Sequence, residues 1–142
     1  MMVKIIRLVA STYPICAGLI FLLLSLLTFT HPEIFAYYSI GVDTPAARTA
    51  IRAMIGGGEL AVAVLLLFGG SLSLTFRQRC VIAAVVFGCV GLARILSGMG
   101  EGFEFLIGQP LREASVELVL ALLGLMSATV FAGDAEISSS NK

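Results

Sequence analysis

The segment Arg52-Ala-Met-Ile-Gly-Gly-Gly-Glu59 opens an apolar run that ends near Phe68, and it puts a cation, three glycines and a carboxylate where hydrocarbon is expected. An ionisable side chain inside a membrane helix is costly, so it calls for a partner and commonly for a task. Arg94 and the glutamates Glu113 and Glu117 are the candidate partners. Arginine in such a place can hold an anionic group or a carbonyl oxygen. Glutamate can orient the arginine or exchange a proton, since desolvation favours its neutral form. Three readings follow from these residue types: a ligand pocket, a path for a proton or small solute, and ion pairs that keep helices in register. The glycines beside Glu59 leave space or allow close backbone approach, which a simple clamp does not require.

The elements that must position these groups are membrane helices. Of the 142 residues, 58% are hydrophobic and 13% charged, and the mean hydropathy is +1.03. A soluble domain of this length needs more polar surface. The formal net charge is zero, which gives no electrostatic case for nucleic acid. A span needs about 20 apolar residues. Four segments meet that need, at 6–29, 46–68, 78–96 and 110–132, followed by a polar tail, 133–142, expected to be disordered. The fold expected is all-α, an integral membrane four-helix bundle. The uncharged run from Leu8 to Thr30 is 23 residues, too long for a secretory h-region of about 7–15, so it reads as a retained first helix. In that helix Ser11, Gly18 and Ser25 recur every seven residues as one small-residue face. Thr44-Pro45 reads as an N-cap with proline at the first helical position. Ser97 to Gln109, with four glycines, reads as a flexible interfacial segment.

Antiparallel helices bring the charges to one level. The second helix starts, the third ends and the fourth starts on the same side, so Arg52, Arg94, Glu113 and Glu117 all fall in one half of the bilayer. Glu59, seven residues past Arg52, is about 10 Å deeper and near the midplane. At steps of three or four, Arg52, Gly56, Glu59 and Ala63 share a face, as do Ala84, Gly88, Gly91 and Arg94, and Glu117, Ala121, Gly124 and Ala128. Each charge thus sits on a small-residue stripe, the kind that faces other helices. Gly56, Gly57, Gly91, Gly98 and Glu101 are the residues expected to line a pocket around the cluster. Glu59-Leu-Ala-Val-Ala-Val-Leu-Leu also parallels Glu117-Leu-Val-Leu-Ala-Leu-Leu-Gly, which would make the chain two parallel helical-hairpin repeats.

No catalytic or metal set is visible. Cys16, Cys80 and Cys89 lie apart in apolar runs and form no Cys-x-x-Cys pair, and the single histidine, His31, has no second ligand nearby. The residues favour binding over an enzyme, and they imply no cofactor. Lys4, Arg7, Arg77, Arg79 and Lys142 fall on one side, against Arg48 and Arg112 on the other. The positive-inside rule then favours cytoplasmic termini.

With Arg52-Ala-Met-Ile-Gly56-Gly57, Arg94-Ile-Leu-Ser-Gly98, Glu101-Gly102 and Glu117 in hand, the chain resembles a bacterial four-helix membrane family of unknown function, distantly DoxX-like, from about Ile6 to Phe131. Ile55 stands where that family often has an aromatic, and Glu101 where it often has aspartate. The resemblance implies an inner-membrane location and no established reaction. The function expected is binding of a small amphipathic ligand, lipid- or quinone-like, or service as an accessory subunit of a larger membrane complex or homo-oligomer. A proton-coupled small-solute transporter and a purely structural ion-paired bundle are the alternatives.

Overall fold

The computed structural model describes residues 2–38 and 40–130. The expected polar tail, 133–142, and the last residues of the expected fourth helix lie outside them. Among the described residues all regular structure is helical, with no strand. Four helical stretches there are long and apolar enough to cross a membrane: Ala10–Thr30, Pro45–Leu72, Phe76–Glu101 and Gln109–Val130. On length and composition the chain is a multi-pass membrane protein. Large apolar side chains such as Leu19, Leu23, Val85, Leu122 and Met126 are exposed. In a soluble protein so much bare apolar surface would be a liability, whereas against acyl chains it is the expected solvent-facing layer.

The chain divides into two compact units, Ile15–Leu72 and Met1–Pro14 with Ser73–Lys142. Helix α1, Met2–Thr30, carries Pro14 in its interior. It begins a turn before the apolar limit at Ile6, because backbone hydrogen bonding continues through residues whose side chains are charged. A short 3-10 helix, Pro32–Tyr38, follows it.

In the unit Ile15–Leu72, the second span is built from unlike pieces. Helix α2, Pro45–Ile51, starts as its residues dictate: Thr44 is extended and its hydroxyl accepts from the Ala47 amide, with Pro45 at the first position. A π-helical turn, Arg52–Gly56, then follows, in which the Gly57 amide donates to the Arg52 carbonyl. Helix α3 continues over Gly57–Phe68 and a 3-10 turn, Gly69–Leu72, ends the span. The single regular helix expected over 46–68 is therefore interrupted by a widened turn at its charged end. Gly18 lets α1 lie close: a Cβ there would come 2.7 Å from Leu67 Cγ.

The other unit is organised by α4, Phe76–Glu101, and α6, Gln109–Val130, joined by the one-turn helix α5, Phe103–Ile107. Helix α4 starts two residues before the expected Gln78, because Thr75 and Gln78 form a reciprocal capping box. It also runs past Leu96 through the glycines that suggested a loop. The break falls at Gly102, whose φ of +117° suits glycine alone. The helices α4 and α6 approach through small residues. At Gly91 a Cβ would meet Leu118 Cγ at 3.1 Å and the Ala114 carbonyl at 3.3 Å, and at Gly88 it would meet the Ala121 methyl at 3.7 Å. Tyr13 joins this unit by donating its hydroxyl to the Leu120 carbonyl at 2.8 Å, over Gly124.

Candidate functional site

The five charged candidates, Arg52, Glu59, Arg94, Glu113 and Glu117, fall into two sets, each with partners in its own unit. In the α4–α6 hairpin, Arg94 joins both glutamates. Its Nε donates to Glu117 Oε1 at 2.8 Å and its Nη1 lies 2.6 Å from Glu113 Oε2. Helix geometry makes this possible, because Glu113 and Glu117 are one turn apart on the face of α6 that meets α4. Gln109, a further turn back, donates to Glu113 Oε1 at 2.8 Å. Gly91 lies beneath, where an added Cβ would come 3.3 Å from Glu117 Cβ, so the glycine allows the carboxylate stem to pass close to α4. The set holds one cation and two carboxylates. Among the described residues, the second oxygen of Glu117 is buried without a hydrogen-bond partner. An arginine bridging two carboxylates across antiparallel helices is a clamp whose geometry leaves it little freedom.

In the unit Ile15–Leu72, Arg52 and Glu59 both turn to α1. Arg52 Nε donates to the Phe29 carbonyl at 2.9 Å, satisfying one of the carbonyls that the end of α1 leaves open. Thr28 donates its hydroxyl to Glu59 Oε2 at 3.0 Å, and Ser25 donates to the Gly56 carbonyl at 2.9 Å. Ser25 thus meets the last residue of the π turn. Gly56 packs directly on Thr28 and Phe29, where a Cβ would come 3.1 and 3.2 Å from their side chains. Gly57 has only the Arg52 carbonyl nearby, at 3.9 Å, and Gly58 has open space.

Thr28 is two residues short of the end of the first candidate span at Thr30, and Glu59 is the fifteenth residue of the 28-residue second one, Pro45–Leu72.

The remaining expected residues are placed as follows. Gly98 is buried, but under Leu106 of α5 and not beside a charge. Glu101 is the exposed last residue of α4. His31 and Glu33 form an exposed pair at 2.9 Å just past α1, and a backbone hydrogen bond at Glu33, then the His31 ring, hold its carboxyl below the usual 4.5. Among the described residues, no group of His, Cys, Asp and Glu could hold a metal ion. Sequence reasoning singled out Ser25 only as a small residue and passed over Thr28, Gln109 and the Tyr13 hydroxyl. The spacing of Ser25 and Thr28, three apart on the same face as Gly18, was the available signal.

Comparison with known families matches residues 9–128 to the model described as Domain of unknown function (DUF4345). The chain belongs to this family. The DUF4345 match reaches into all four spans and includes the π turn and the Arg94 clamp, and its description names no activity. No curated protein and no solved structure matches the chain.

Proposed function

We propose that this DUF4345 chain is an inner-membrane protein with cytoplasmic termini that binds the polar head of a small amphipathic molecule, lipid- or quinone-like, at Arg52 and Glu59. What supports this is the partial use of both side chains. Arg52 gives Nε to the end of α1, and among the described residues its terminal nitrogens have no protein hydrogen bond; Glu59 accepts one hydroxyl bond on one oxygen. The remaining donors and acceptor suit a ligand that offers an anionic or carbonyl oxygen to Arg52. Glu59 then accepts a hydrogen bond from the ligand or exchanges a proton with it. The open space at Gly58 admits an apolar body alongside the helix. Arg94, by contrast, is engaged on both carboxylates, and that favours a structural clamp as the role of Arg94, Glu113 and Glu117.

The test is native mass spectrometry of the full chain released from detergent, with co-purified small molecules identified. Arg52→Gln and Glu59→Gln are expected to lose a bound amphiphile that the unaltered chain retains, while helix content by circular dichroism is unchanged. Equal ligand content in all three proteins overturns the binding reading. Solute flux driven by a proton gradient and abolished by Glu59→Gln would replace it with transport.

A further inference from the structure

A second feature lies where α4 begins. A groove of about 640 Å³ is walled by Leu74, Phe76, Arg77, Gln78, Val81 and Ile82. Its wall changes character along its length. Arg77 is exposed. Phe76 carries the Arg79 guanidinium on its ring, 4.9 Å from the centroid, and Val81 and Ile82 follow one turn further into the span. The α4 span starts at Phe76, so the groove runs from the membrane boundary into the hydrocarbon. The amides of Thr75 and Gln78 are already taken, because the two residues satisfy each other across the cap at 2.8 and 3.2 Å. The polar character available at the rim is cationic. No acidic residue occurs in the sequence between Glu59 and Glu101, so this stretch of chain brings no carboxylate of its own.

We propose that this groove binds an anionic phospholipid, with the phosphate on Arg77 and the upper part of one acyl chain along Val81 and Ile82. The order of cation at the boundary and aliphatic wall below it matches the order of charge and hydrocarbon in such a lipid. A free anion would gain the charge and forgo the apolar wall, and a zwitterionic lipid would fill the wall but bring a second cation to the arginines. The groove uses none of the residues assigned to the Arg52–Glu59 site, so the two readings stand or fall separately.

The experiment places the full chain in nanodiscs with equal phosphatidylglycerol and phosphatidylcholine, releases it gently, and counts retained lipid by native mass spectrometry. Phosphatidylglycerol is expected to be retained over phosphatidylcholine, and Arg77→Gln is expected to lower that preference about fivefold, the effect of one basic residue at an anionic surface. Arg77→Lys should keep most of the preference. Arg112→Gln, which removes an exposed cation at the other end of the hairpin, should leave it unchanged. Equal retention of the two lipids, an Arg77→Gln protein that matches the unaltered chain, or displacement of the lipid by inorganic phosphate alone overturns the proposal.

Discussion

Arg94 is held by two carboxylates on the next helix, and its side chain and theirs are mostly buried, with exposures of 32% for Arg94, 24% for Glu113 and 16% for Glu117. The contribution of such a set is asymmetric. Forming it offsets the desolvation of three charges, while breaking it strands whichever charges remain. Arg94→Ala therefore removes the cation that faces both carboxylates and should destabilise the chain by about 3 kcal/mol. Removing all three charges in Arg94→Ala/Glu113→Gln/Glu117→Gln should cost less than the single change, because no buried charge is left without a partner. Unfolding in sodium dodecyl sulfate, followed by far-ultraviolet circular dichroism, measures both. A triple variant less stable than Arg94→Ala would show that the set contributes more than the avoidance of an orphaned charge. Arg52 differs at this scale. Its one protein bond is to a backbone carbonyl, so Arg52→Gln strands no carboxylate and should leave folding nearly unchanged.

The second span shows how elements carry that difference. Its π turn brings Gly56 against Thr28 and Phe29, and a Cβ there would sit 3.1 Å from one and 3.2 Å from the other. Gly58 is two residues away and has nothing within reach. Gly56→Ala should push the span from α1, weakening the Ser25 bond to the Gly56 carbonyl and costing about 1–3 kcal/mol. Gly58→Ala should stabilise by about 0.5–1 kcal/mol through helix propensity alone. Thermal unfolding of the two variants in one detergent decides between them, and equal effects would remove the case for a close approach at Gly56. The helices themselves were legible in the sequence wherever apolar runs and caps set their ends: Thr44-Pro45 marks one start, and Thr75 with Gln78 marks another that hydropathy alone places two residues late. The glycines of 97–109 misled, because glycine is well tolerated inside membrane helices and only Gly102 needs a positive φ. The π turn was not legible, since the bonds beside it, from Ser25 to the Gly56 carbonyl and from Thr28 to Glu59, come from another helix. For the same reason Arg94, Glu113 and Glu117 could be matched by register along antiparallel helices, whereas the partner of Glu59 could not. A threonine among leucines and phenylalanines carries no mark of its contact.

At the scale of the whole molecule, an even number of spans fixes a relation that no single helix shows. Were all four candidate spans to cross, the turn after the second would fall on the same side as the start of the first and the end of the fourth, and the two other connections, 31–44 and 102–108, on the opposite side. Arg77 and Arg79 follow that turn, and Lys4 and Arg7 precede the first span. In the orientation proposed above, the positive-inside rule places the turn and the ends in the cytoplasm. That proposed orientation would turn the Arg77 groove toward the leaflet whose anionic lipids it would select, and would put the Arg52 end of the second span at the outer surface. Cysteine labelling tests it in intact cells, after Cys16, Cys80 and Cys89 are replaced by alanine. Gly41→Cys and Gly108→Cys should react with a membrane-impermeant maleimide, both being exposed positions in outer connections. Ser71→Cys, exposed at the inner turn, should react only after the membrane is permeabilised. The reverse pattern would invert the orientation and move the groove to the outer leaflet. Labelling that separates Gly41 from Gly108 would break the count of four crossings, and with it the antiparallel register that lets Arg94 reach Glu113 and Glu117.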